Sequence, residues 1–156
     1  NGYWPYTPST NLLYGLNEAL DMLLDEGMDH VLARHQRWAA GVRAGVEAWG
    51  LEIQCQDPSV YSPVLTGVVM PEGVDADAVR KIIYERFDLS LGMGLGKAKG
   101  KMFRIGHLGD CNDLTLIATL GGCEAGMKLS GVSLKGSGVT AALDYFAANP
   151  LNAGER

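Results

Sequence analysis

The stretch KMFRIGHLGD, Lys101 to Asp110, places one arginine in the middle of an apolar run. Met102, Phe103 and Ile105 belong in a buried strand, and a guanidinium keeps its charge under all ordinary conditions. Arg104 must therefore point away from the core or meet an anion. Two partners suit it: one of the 18 acidic residues, in a structural ion pair, or the carboxylate of a ligand. The neighbouring glycines favour the ligand. Gly94 and Gly96 precede Arg104, Gly106 and Gly109 follow it, and little side-chain bulk crowds the site. A planar fork in an uncrowded pocket suits bidentate binding of a carboxylate.

Other candidate groups read more plainly. Gly92, Gly94 and Gly96 form GMGLG, but the spacing is not GxGxxG, no GK[ST] follows, and a strand rather than a helix comes next. A turn needing positive φ, or a loop that lets something approach its backbone, fits better than a phosphate cradle. His30, His35 and His107 are too scattered for metal-ligand spacing, and His35 falls on an apolar helix stripe. Asp110 and Asp113 flank a helix start, where carboxylates favour the dipole. Cys55, Cys111 and Cys123 are an odd, widely spaced set without a CxxC pair, which favours reduced thiols and a cytoplasmic setting over zinc or disulfides. A net charge of −5 argues against broad nucleic-acid binding, and no apolar run is long enough to span a bilayer.

The elements that must position Arg104 follow from periodicity and punctuation. Ser9 or Thr10 can cap a helix from about Asn11, with Leu12, Leu13, Leu16, Leu20, Leu23 and Leu24 at helical spacing and Gly27 as its stop. A second helix carries Val31, His35, Trp38, Val42, Val46 and Trp49 up to Gly50. The short connection predicts that the two lie antiparallel. LEIQC reads as an edge strand and PVLTGVVMP as a second strand bounded by prolines. Asp75 can cap a helix over 76–87. LSLG begins a short strand, KMFRIGHL is the last strand, and Asp110 or Asn112 caps a helix over 114–127. A final helix covers 139–148. The sum is an α+β sandwich: a small mixed sheet of about four strands with helices packed on it. The chain divides into an extended segment over 1–10, rich in exposed-type aromatics, a domain over 11–150 and a tail over 151–156.

Three segments, YWPYTPSTNLLYGLNEAL, ARHQRWAAGVRAGVEAWGL and LSLGMGLGKAKGKMFRIGHLGD, resemble the C-terminal part of serine–glyoxylate and alanine–glyoxylate aminotransferases. These are class V, fold-type I enzymes that use pyridoxal 5′-phosphate. The resemblance implies the C-terminal small domain of that fold and gives Arg104 the role of holding the substrate α-carboxylate. It also implies that an aromatic-x-x-Thr motif, Trp4 and Thr7 here, reaches the cofactor phosphate of the partner subunit in a homodimer. Trp4 has no phenolic hydroxyl, and Tyr3 or Tyr6 could take that contact. The family's Schiff-base lysine lies upstream, and none of Lys81, Lys97, Lys99, Lys101, Lys128 or Lys135 sits in the matching motif. The chain is thus expected to be a fragment, inactive alone, whose partners are an upstream large domain, a second subunit, small amino acids such as serine or alanine, and glyoxylate. A non-catalytic amino-acid-binding module is the alternative, with Arg104 in the same role and no cofactor. A desulfurase would need a mobile cysteine, and all three cysteines fall in or beside regular elements.

Overall fold

The computed structural model describes residues 2–151, and the expected tail lies beyond them except for Leu151. Five α-helices and four strands follow the expected order. They are α1 (Thr10–Glu26), α2 (Met28–Trp49), β1 (Glu52–Ile53), β2 (Leu65–Val69), α3 (Ala76–Phe87), β3 (Gly92–Met93), β4 (Met102–Gly106), α4 (Asp113–Leu129) and α5 (Gly138–Ala148). The chain groups into two compact units. One runs to Arg34 and includes Leu151; the other is His35–Pro150, so the boundary falls inside α2.

In the second unit the strands form one sheet in the order β1-β2-β4-β3. Every neighbouring pair is antiparallel, which corrects the expectation of a mixed sheet. The reason is topological. β2 and β3 run the same way, joined by a crossover through α3, but β4 returns between them through the glycine-containing turn after β3. Parallel strands are present and never adjacent. One face of the sheet, carrying Ile53, Val68, Phe103 and Ile105, enters a core with Trp49, Val79, Ile83, Leu116, Leu120 and Met127. That burial follows from period-2 alternation in the strands and the 3.6-residue stripes of the helices.

Local signals set the helix ends. Asp75 accepts a hydrogen bond from the Asp77 N–H at the start of α3. Asn112 and Thr115 exchange side-chain and backbone bonds in a capping box that opens α4, so Asn112 and not Asp110 is the cap. Ser137 caps α5 through the Thr140 N–H. A buried carboxylate joins three helices. Glu124 of α4 accepts from Trp49 Nε1 of α2 at 3.0 Å, from Ser137 Oγ at 3.2 Å and from the Val139 N–H of α5 at 3.3 Å, and it pairs with Lys128 at 2.6 Å.

In the first unit α1 ends at Gly27, whose φ is 88° and whose N–H bonds Leu23 O. Its leucine stripe is open: no described residue of α1 is buried, and Leu12 is 74% exposed. Glu26 at the end of α1 forms a bidentate ion pair with Arg34.

Candidate functional site

Arg104 sits at the centre of the open face of the sheet. Alternation puts Phe103 and Ile105 into the core and turns Arg104 the other way. Register then decides its surroundings. Arg104 is paired across β2 with Gly67 and across β3 with Gly92. Neither neighbouring strand offers a side chain beside it, and its guanidinium can lie across the sheet. A Cβ added at Gly92 would stand 3.1 Å from Arg104 Cβ and Nε. Nε donates to Met93 O at 2.9 Å, which orients the fork.

This arrangement corrects the sequence reading of the glycines. Gly94 is required by a different contact: a Cβ there would come within 2.1 Å of Ala98 O. Gly96 has φ of 54° and stands in open space. The residue that makes room for Arg104 is Gly92, while Gly67 stands opposite it in register and a Cβ there would meet Met102 and Gln54. Alternation gives which face a side chain takes but not which residue stands opposite, so the sequence carried no signal for Gly67.

The ion-pair reading of Arg104 is not what the structure shows. Its terminal nitrogens bond no described residue, and it joins no described carboxylate. Arg34, Arg37 and Arg80, by contrast, are each matched with an acid: Glu26, Asp113 and Asp77. Arg104 opens onto a cleft of about 220 Å³ in the second unit. Arg43, Gln54, Tyr61, Ser62 and Thr66 share its walls, and none of its lining residues is acidic. Sequence reasoning passed over Arg43, Tyr61 and Thr66.

Behind the cleft, His107 is fully buried and makes two ring hydrogen bonds. Because the Pro63 carbonyl only accepts, Nδ1–H donates to it at 3.1 Å, and Nε2 then accepts from the Thr66 hydroxyl at 2.9 Å. Burial pushes its pKa from 6.5 down to about 4; the Pro63 bond works the other way, and the Arg43 charge adds to the lowering. His107 is thus a neutral strut that ties the end of β4 to the segment before β2. His35 accepts from the Gly109 N–H at 3.1 Å, and no three His, Cys, Asp or Glu among the described residues are placed to hold a metal.

Trp4 and Thr7 belong to the first unit and are exposed there, Trp4 at 64%. Tyr3 and Tyr6 are 90% and 86% exposed. No lysine lines the cleft, and Lys81 and Lys128 are engaged with Glu85 and Glu124. The cleft therefore offers no amine for covalent attachment of pyridoxal phosphate. Among the described residues no helix is long and apolar enough to cross a membrane.

An antiparallel four-stranded sheet backed by helices matches the C-terminal domains of class V aminotransferases, a family that uses pyridoxal phosphate. No protein-family model matches the chain. Individual proteins do. Serine–glyoxylate aminotransferase of Hyphomicrobium methylovorum is 48% identical over 149 residues, which is 95% of this chain and 37% of that protein. The serine–glyoxylate aminotransferase of Arabidopsis thaliana is 46% identical over 92% of this chain and 36% of its own length. The crystal structure of pyridoxamine–pyruvate aminotransferase from Mesorhizobium loti superposes with a TM-score of 0.88 at 38% identity, covering 96% of this chain and 39% of that one. The chain is similar to the C-terminal part of these aminotransferases and spans about 37% of the length of the relatives it matches.

Proposed function

We propose that the chain acts as the substrate-carboxylate domain of a pyridoxal-phosphate-dependent aminotransferase that moves an amino group from serine or alanine to glyoxylate. Arg104 carries the reading. It is held by Met93 O, has its terminal N–H groups unspent on described residues, and stands between two glycines on a cleft without acids. The fork would receive the α-carboxylate of the amino donor and of the keto-acid acceptor in turn, so one residue positions both half-reactions. Pyridoxal phosphate, where bound, supplies the electron sink for the transfer. In this reading it is held mainly by an upstream large domain, since the cleft has no lysine.

The exposed N-terminal segment supports a partner surface. Thr7 would give its hydroxyl, and Trp4 its ring, to the phosphate-binding region of a homodimer mate, because large exposed aromatics mark contacts. Three free thiols support a cytoplasmic location. A non-catalytic amino-acid-binding module would use Arg104 in the same way, and only turnover separates the two.

The test is Arg104→Lys and Arg104→Ala in an active preparation containing this chain. Charged hydrogen bonds are worth roughly 1.5–3 kcal/mol each, so losing a two-bond anchor lowers kcat/KM by about 100-fold or more for donor and acceptor alike. Lysine keeps the charge but not the fork and should rescue little. A fall in melting temperature with unchanged kinetics overturns the reading.

A further inference from the structure

The cleft beside Arg104 holds a second guanidinium that no described acid neutralises. Arg43 of α2 lies over the ring of Tyr61, 4.9 Å from its centroid, and lines the same 220 Å³ space. It joins no described carboxylate. This departs from the rule elsewhere in the molecule, where the arginines withdrawn from solvent, Arg34, Arg37 and Arg80, each have a carboxylate. The departure occurs in a chain of net charge −5, so acids were not scarce. Stacking on an aromatic face engages the plane of a guanidinium and leaves its N–H edge available. Tyr61 thus presents Arg43 as a second oriented fork. Two cations that line one cleft and pair with no described carboxylate focus the field on a small anion. The space is smaller than drug-sized pockets of roughly 300–1,000 Å³ and suits a small metabolite.

We propose that Arg43 is a second carboxylate-binding residue, and that the cleft also takes small dicarboxylic acids, which it holds more tightly than monocarboxylic ones of the same length. One carboxylate is gripped by Arg104, and the distal one reaches Arg43. The proposal rests on the Arg104 reading above and adds a dicarboxylic ligand class to the monocarboxylic substrates that Arg104 alone would hold.

Titration of the chain with succinate and with butyrate, followed through the arginine Nε–H resonances, tests both layers. Succinate is expected to bind about tenfold more tightly, the worth of one added charged contact, and salt should shrink the preference. Arg43→Met should bring succinate down to the butyrate level while butyrate affinity is kept. Arg43→Lys, which retains charge without the stacked fork, should retain part of the preference and serves if the methionine variant does not fold. Arg104→Met should weaken both acids. Equal affinities in the unaltered chain, or a preference that survives Arg43→Met, overturns the dicarboxylate proposal and leaves Arg104 standing. Butyrate binding that survives Arg104→Met overturns the Arg104 reading, and binding of neither acid overturns both.

Discussion

Replacing Gly92 with alanine puts a methyl carbon on β3 directly beside Arg104. From the backbone geometry that carbon stands 3.1 Å from Arg104 Cβ, 3.1 Å from Nε and 3.4 Å from Cζ. Carbon contacts are comfortable from about 3.5 Å, so the arginine must retreat by about 0.4 Å at two atoms. The backbone should not object, because Gly92 is not among the positive-φ glycines. An alanine in a compatible conformation gains about 0.4–1 kcal/mol by restricting the unfolded chain. Stability and site are thereby pulled in opposite directions. The strand should be as stable as before or slightly more so, while the Nε–Met93 O bond of 2.9 Å is stretched and the fork swings off its axis. Losing one charged hydrogen bond of roughly 1.5–3 kcal/mol lowers carboxylate affinity by about tenfold or more. The assay pairs a carboxylate titration with thermal melting of the same sample. A useful control is Gly67→Ala on the other flank. Its Cβ meets the Met102 Cε methyl at 2.6 Å, the tip of a flexible side chain that can swing aside, so Arg104 should be disturbed less. Unchanged carboxylate affinity in Gly92→Ala would refute the reasoning, and so would a loss of affinity matched by a loss of melting temperature.

Two pH-dependent outcomes come from the buried titratable groups. Burial holds His107 at about 4 against its ordinary 6.5, so the unfolded chain takes up a proton first. Its contribution is complete above pH 6.5 and is lost as pH falls towards 4, by about 3 kcal/mol. His107→Gln should flatten that part of a stability-against-pH curve measured by denaturant unfolding. For Glu124, burial pushes the carboxyl upward, but donors from Lys128, Trp49, Val139 and Ser137 outweigh it and hold the pKa at about 2 rather than 4.5. That stabilisation is complete above pH 4.5 and fades as pH falls towards 2, so Glu124→Gln should cost about 2–3 kcal/mol at pH 7 and remove the acid limb of the curve.

The sequence by itself determined the order of elements, most of their ends and the outward face of Arg104. Those features are written locally. A helix stripe repeats within four residues, a cap such as Asn112–Thr115 spans three, and an arginine set between Phe103 and Ile105 declares its face by alternation alone. Family resemblance added the expectation of a cofactor and the proposed role of Thr7 and Trp4, which the local residues could not suggest. Tertiary structure alone decided what surrounds Arg104. Gly67 became its neighbour through strand register, and Arg43 came to the same cleft from α2. The antiparallel character of every pair depended on β4 returning between β2 and β3, and the neutrality of His107 depended on Pro63 and Thr66 being folded around it. α1 shows the limit from the other side: its leucine stripe was legible as a helix, yet periodicity says only that a face is apolar and never what covers it. Pairings between distant segments leave no periodic trace in the chain, because they are selected by the packing of whole elements and not by spacing along any one of them.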